Sequence, residues 1–166
     1  MEIRILQAVD AAAYRVIRRR ALVEHPESFG SSPARIDGMT DADIVQRLTG
    51  DAPDNVTFGA FVDGDLMGIA GVVRMPGEKR EHTAEIISMY VAAEARGQQI
   101  GRRLMDAALA HLRGRGVEQV TLSVASGNVA ARRLYRSMGF VTWGVQPAYI
   151  RVGDVYHDVE HMGLYL

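Results

Sequence analysis

The chain reads VAAEARGQQIG from Val91 to Gly101, and glycines 97 and 101 bracket the start of an amphipathic run. A helix beginning here would present unpaired backbone N–H groups and roughly half a positive charge, which attract phosphate. Glycine lets the backbone come close because it carries no Cβ. Arg96, Arg102 and Arg103 add positive charge around the joint. A P-loop needs GxxxxGK[ST], and the joint has no lysine; the dinucleotide pattern GxGxxG is absent too. What remains is a pyrophosphate held between a strand, a loop and a helix start.

Two further groups have chemical potential. Asn128 and Tyr135 stand seven positions apart, about 700° on a helix, so they share one face at different heights. Ala131, Leu134 and Met138 take the core-facing spacing of the same helix, and Asn128 also suits its N-cap. Glu85 opens the apolar strand AEIISMYV, and strict alternation puts it on one face with Ile87, Met89 and Val91. A carboxylate among apolar neighbours has a raised pKa, which suits a base working near neutrality. His157 to His161 match H-x-x-E-H, but that zinc motif requires a helix. VYHDVEHMGLYL alternates as a strand, so no metal is expected; an exposed or dimer-edge strand accounts for it, and a homodimer is possible.

These residues need a scaffold. Residues 2–8 alternate as a strand, and Asp10 is placed to cap a helix whose Tyr14, Ile17, Ala21 and Leu22 share one face. HPESFGSSP breaks it, and a helix from about Asp41 to Leu48 follows Thr40, a second cap. Asp63-Gly64 fits a tight turn between two apolar runs. After AEIISMYV, the positions Ile100, Leu104, Ala107, Ala108, His111 and Leu112 keep helical spacing until Gly114 and Gly116. VEQVTLSV is a strand, NVAARRLYRSM a helix closed by Gly139, and two strands, about Phe140–Ile150 and Val155–Leu164, join through Gly153-Asp154. The order β-α-α-β-β-β-α-β-α-β-β describes one mixed α/β domain over residues 1–166.

The 166 residues carry a formal net charge of −1 and no cysteine. That argues against nucleic acid or acidic membranes as partners, and it excludes disulfides and thiol catalysis. No signal-like h-region or membrane-length apolar run is seen, so a cytoplasmic location is expected. Arg18-Arg19-Arg20 reads as the solvated face of the first helix.

Arg96-Gly97-Gln98-Gln99-Ile100-Gly101 resembles the R/Q-x-x-G-x-G/A signature of the GNAT superfamily of N-acetyltransferases. AEIISMYV before it and NVAARRLYRSMGF after it are similar to the family as well, and the order of elements agrees over nearly the whole chain. The resemblance implies the acyl-CoA N-acyltransferase fold, a mixed sheet of about seven strands with about four helices. It implies acetyl-CoA as co-substrate and a primary amine as acceptor, attacked directly in a ternary complex. By the same resemblance the N–H groups of about Gln98 to Arg102 bind the pyrophosphate and Asn128 contacts the cofactor. Tyr135 protonates the departing sulfur, and Glu85 acts as base directly or through water, with Tyr90 and His82 as weaker substitutes. Backbone near Tyr90 or Val91 would supply the oxyanion donor, at a bulge that AEIISMYV does not betray. The loops 24–40 and 74–82 would shape the acceptor site. The departure is Gln99, where the family most often has Gly. It leaves open a second reading, a catalytically silent CoA-binding sensor or interaction module.

Overall fold

A computed structural model describes residues 1–50 and 55–166. Seven strands form one sheet in the order β1-β2-β3-β4-β5-β7-β6. They are β1 (Glu2–Ile5), β2 (Val56–Val62), β3 (Asp65–Arg74), β4 (Thr83–Val91), β5 (Gln119–Ala125), β6 (Val141–Val152) and β7 (Val155–Tyr165). Every neighbouring pair is antiparallel except β4 and β5, which run parallel. The β2–β3 turn uses Asp63 and Gly64, both at positive φ (53° and 95°), as a two-residue hairpin demands.

Two apolar cores lie on the two sheet faces. One gathers Leu6, Ile69 and Tyr90 with Tyr14, Ile17 and Leu22 of α1 (Ala11–Glu24), Ile36 of α2 (Pro33–Asp37), and Ile44 and Leu48 of α3 (Asp41–Thr49). The other gathers Ile86, Val120, Leu122 and Met162 with Ile100, Leu104, Ala108 and Leu112 of α4 (Ile100–Arg113) and Tyr135 of α5 (Val129–Ser137). Burial of these stripes, more than propensity, holds the helices in place.

The described residues form five α-helices where the sequence suggested four. The extra one, α2, begins with Pro33 at a first-turn position, where a missing N–H is no loss. Asp10 does not cap α1 with its side chain. Its carboxylate instead takes both Arg4 guanidinium nitrogens at 2.7 and 2.8 Å and the Gln7 N–H at 2.8 Å. The basic triplet of α1 is not one solvated face either. Arg19 and Arg20 pair with Asp37 and with Glu24 and Glu94, whereas Arg18 is buried and stacked over the Phe29 ring. Its long apolar stem is what makes that burial tolerable.

The consequential irregularity is in β4. Ser88 has φ 57°, and the register against β3 passes from Gly71↔Ile87 to Ile69↔Tyr90. Two residues of β4, Ser88 and Met89, therefore stand against one of β3, which is a β-bulge. Strict alternation along AEIISMYV fails at this point. Ile86 belongs to the α4-side core, and Met89 and Val91 pack against that same core, while Tyr90 belongs to the opposite one. Glu85 thus shares its face with Ile87 and, beyond the bulge, with Tyr90; it does not share it with Met89 and Val91.

Candidate active site

β4 and β5 pair only from Thr83↔Gln119 to Ile86↔Leu122. Past that point β4 stays with β3, and β5 stays with β7 through Ala125. The bulge turns β4 away just where pairing stops, so the two parallel strands fork. The fork opens a cleft of ≈ 630 Å³, a size suited to a cofactor arm. Ile87 to Val91 line one wall, Ser123 to Ala125 the other, with the start of α4 and parts of α5 at its ends. The lining is mostly apolar, with polar groups at few points.

At the upper end the chain turns sharply into α4. Gly97 has φ 81°, and Gln99, the N-cap, sits at φ 59° and ψ 16°. The first intrahelical bond runs from Arg103 N–H to Gln99 C=O at 3.1 Å. The N–H groups of Ile100, Gly101 and Arg102 thus precede any intrahelical acceptor, the condition that makes a helix start attract an anion. Gly101 has its own reason. A Cβ there would stand 3.2 Å from Leu134 Cδ2 and 3.3 Å from Met89 Cε, so its absence lets α4, α5 and β4 converge. Arg96 folds back over the joint, donating from Nε to the Val91 carbonyl at 3.2 Å and lying 3.0 Å from His25 Nε2. Arg96, Gly97, Gln99, Ile100, Gly101 and Arg102 all line the cleft; Gln98 does not.

At the α5 end, Asn128 and Tyr135 both line the cleft, as their spacing suggests. Asn128 caps the helix, its Oδ1 accepting from Ala131 N–H at 3.1 Å, which leaves its amide NH₂ for another partner. Tyr135 is 5% exposed, and burial pushes its hydroxyl well above the usual phenol range. It stays protonated at any physiological pH and can donate a proton.

Glu85 stands elsewhere. It is paired opposite Thr121, below the fork, and it is not among the residues lining the cleft. Burial raises its pKa, against the lowering effect of His161 nearby. Tyr90 lines the cleft with Val91, but its hydroxyl donates to Glu24 Oε2 at 2.7 Å. Burial and that bond push its pKa up to about 12, so it is no base near neutrality. His82 sits before β4, at the far end from the fork, its carbonyl accepting the N–H groups of Glu118 and Gln119.

The sequence alone did not single out Ser88 or Ser123, and it set His161 aside with the zinc motif. His157 and His161 do lie on one strand, about 13 Å apart at the usual rise, too far to share a metal ion. Glu160 points to the opposite face, where it is buried against Arg132, Arg136 (3.1 Å) and Thr142 (3.0 Å). His161 instead lies 2.9 Å from Ser123 Oγ and 3.2 Å from Gln146 Oε1. Nothing local marks Ser123 or His161 as functional, and only the pairing of β5 with β7 brings them together.

Residues 17–140 match the model of the acetyltransferase (GNAT) family. Among curated proteins, the mycothiol acetyltransferase of Stackebrandtia nassauensis is 33% identical over 130 residues, 76% of this chain and 40% of that protein. The N-alpha-acetyltransferase RimI of Mycobacterium tuberculosis is 40% identical over 111 residues, 63% of this chain and 65% of that one. The chain spans less than half the length of the mycothiol acetyltransferases it matches. Among solved structures, a GNAT-family acetyltransferase from Streptococcus pneumoniae superposes with a TM-score of 0.87 at 21% identity, over 99% of each chain.

Proposed function

Because the chain belongs to the acetyltransferase (GNAT) family, we propose that it transfers the acetyl group of acetyl-CoA to a primary amine by direct attack in a ternary complex. One observation carries this reading. The forked strands, the free N–H groups starting α4, and Tyr135 all open onto one cleft.

The residues fit the co-substrate. The N–H groups of Ile100, Gly101 and Arg102, with Arg96 and Arg102 beside them, suit a pyrophosphate. The apolar walls suit the pantetheine arm, which brings a thioester carbon, activated for attack, to the fork. Backbone N–H near Met89–Val91, freed from β5 by the bulge, would donate to the carbonyl oxygen as charge builds there. Tyr135 would protonate the sulfur as the C–S bond breaks. Asn128 NH₂ would hold the arm. Glu85 stands below the fork, so its part in removing the amine proton would be indirect. Gln98 would contribute backbone only.

The silent alternative drew on Gln99, but a backbone-bound anion tolerates a side chain at that position. We place the enzyme in the cytoplasm, where acetyl-CoA is made. The sequence suggested β7 as an exposed or dimer-edge strand, but β7 lies inside the sheet between β5 and β6. We read the edge strand β6 instead, with Val141, Trp143 and Val145 exposed, as the edge through which two copies would pair, and sedimentation would test that. For the acceptor, the relatives' names supply two arms of a panel, N-terminal peptide amines and small amines. Release of free CoA thiol on mixing chain, acetyl-CoA and an acceptor tests the function. Acetyl-CoA binding with no thiol release across the panel would refute it.

A further inference from the structure

On the sheet face opposite α4, the residues around His161 form a built cluster. Register places Ser123 beside His161, and Glu85 beside Thr121 on the same face of the neighbouring strands. Two bulges in β6 complete it. The register shifts between Thr142 and Gly144, and again between Gln146 and Ile150, so Trp143 and Tyr149 leave the regular ladder. Trp143 stacks on the imidazole at 5.1 Å and 22°, and Tyr149 meets it edge-on at 6.0 Å. Gln146 Oε1 accepts from Nε2–H at 3.2 Å. That bond fixes the tautomer, leaving the Nδ1 lone pair to accept the Ser123 hydroxyl at 2.9 Å.

Ser123 is the first residue of β5 beyond the last position paired with β4. It is exposed and lines the cleft at the fork. Glu85, two rows below, does not reach it. We propose that Ser123 and His161 form the proton path of the acetyl transfer: Ser123 contacts the acceptor amine, and His161, acting through Ser123, receives its proton. The proposal rests on the acetyltransferase reading above and deepens it.

The step balances. An acceptor ammonium gives one proton to Ser123 Oγ as the serine's own hydrogen passes to His161 Nδ1. This leaves a neutral amine, a regenerated hydroxyl and an imidazolium with N–H on both nitrogens. The amine lone pair then forms the C–N bond while the C–S bond breaks. The sulfur takes a proton from Tyr135, which recovers one from the new amide nitrogen. His161, only partly buried, returns the extra proton to solvent. Glu85 and Tyr149 are the titratable groups facing the ring from neighbouring strands, and His157 stands four residues earlier on β7.

The test compares wild type, Ser123→Ala, His161→Ala, the double variant and Glu85→Gln. The readouts are kcat/KM against pH with one amine and acetyl-CoA affinity by calorimetry. Expected are a fall in kcat of about 100-fold for each single variant, acetyl-CoA affinity within twofold, and loss of the acidic limb in His161→Ala. Added imidazole should restore part of the rate in His161→Ala but not in Ser123→Ala, and the double variant should be no worse than the single ones. Should His161→Ala fail to bind acetyl-CoA, Ser123→Ala still decides, since it trims only an exposed hydroxyl. An acidic limb that survives in His161→Ala and vanishes in Glu85→Gln would overturn the relay, as would a rate unchanged in Ser123→Ala. A wild-type chain that binds acetyl-CoA yet acetylates no amine would sink the relay and the function together. An active wild type with either of those two results would sink the relay alone.

Discussion

Gln99 is the natural place to perturb the site, because its backbone is the strained element of the turn proposed to hold the phosphates. It holds φ 59° and ψ 16°, the left-handed region, where a Cβ crowds the following carbonyl at a cost of about 1–2 kcal/mol. Gln99→Gly removes that cost but enlarges the unfolded chain's freedom by about 0.5–1 kcal/mol. The net gain lies between about 0 and 1.5 kcal/mol, centred on about 0.75 kcal/mol, or roughly 2–3 °C in Tm for a domain of this size. Gln99→Ala keeps the Cβ and gains nothing, and Gln99→Val, β-branched, should lose at least about 1 kcal/mol. The order of Tm should therefore be Gly above Gln, Gln near Ala, and Val last, read by thermal unfolding without ligand. Because the proposed binding groups are backbone N–H, acetyl-CoA affinity by calorimetry should stay within about twofold (~0.4 kcal/mol) for Gly and Ala alike. A glycine variant that melts below wild type would refute the strain argument. A tenfold loss of affinity in both Gly and Ala would show that the Gln99 amide itself holds the phosphates.

Tyr135→Phe should lower kcat by about 100-fold or more while leaving acetyl-CoA affinity within twofold, by steady-state kinetics and calorimetry. Gly101→Val should weaken acetyl-CoA by roughly tenfold (~1.4 kcal/mol), since its side chain must enter space against Leu134 and Met89; unchanged affinity would mean the cofactor lies elsewhere. Asp10→Asn should cost about 1–3 kcal/mol by weakening charge-assisted bonds to Arg4. The Arg4 bond holds the Asp10 pKa below its ordinary value. Its contribution is therefore full above about pH 4 and lost as pH falls through the lowered folded value; acid unfolding curves should be shallower in the variant.

What could be read from the sequence were features carried by period and by local chemistry. The stripe Ile100, Leu104, Ala108, Leu112 identified α4, Asp63-Gly64 the hairpin, and the seven-residue step from Asn128 to Tyr135 a shared cleft face. Thr40 caps α3 as its residue type suggests, its hydroxyl accepting from Asp43 N–H at 3.2 Å. What could not be read depends on partners distant in the chain. Asp10 had the right residue type to cap α1, yet Arg4 outbids the helix for its carboxylate because a charged donor makes the stronger bond. Arg18 carries a charge, but Phe29, eleven residues on, gives it a buried surface to lie on. The bulge at Ser88 has no glycine to announce it, and it inverts the face of every later residue in β4, so strict alternation wrongly put Glu85 on one face with Met89 and Val91. Ser123 and His161 meet across two strands whose pairing only the sheet order decides.

The backbone strain has a pattern that ties these misses together. Among the described residues, four besides glycine take positive φ: Asp63, Ser88, Gln99 and Ala148. Asp63 serves a hairpin turn, which calls for it. The other three border the cleft or the His161 cluster. Ser88 forks the parallel strands and sends Tyr90 to the far core. Gln99 turns the chain so that α4 starts with its N–H groups free. Ala148, at φ 53°, is pinned where its N–H reaches Asp158 Oδ1 at 2.8 Å, and the surrounding bulge sets Gln146 and Tyr149 around one imidazole. Each such conformation costs about 1–3 kcal/mol, which the two packed cores on either face of the sheet can offset. Local preference is overruled where the cleft and its neighbouring cluster need the chain to be irregular. A reading by periodicity alone therefore finds the scaffold and the Asn128–Tyr135 face of α5, and misses the side chains whose placement depends on a bulge or on strand pairing.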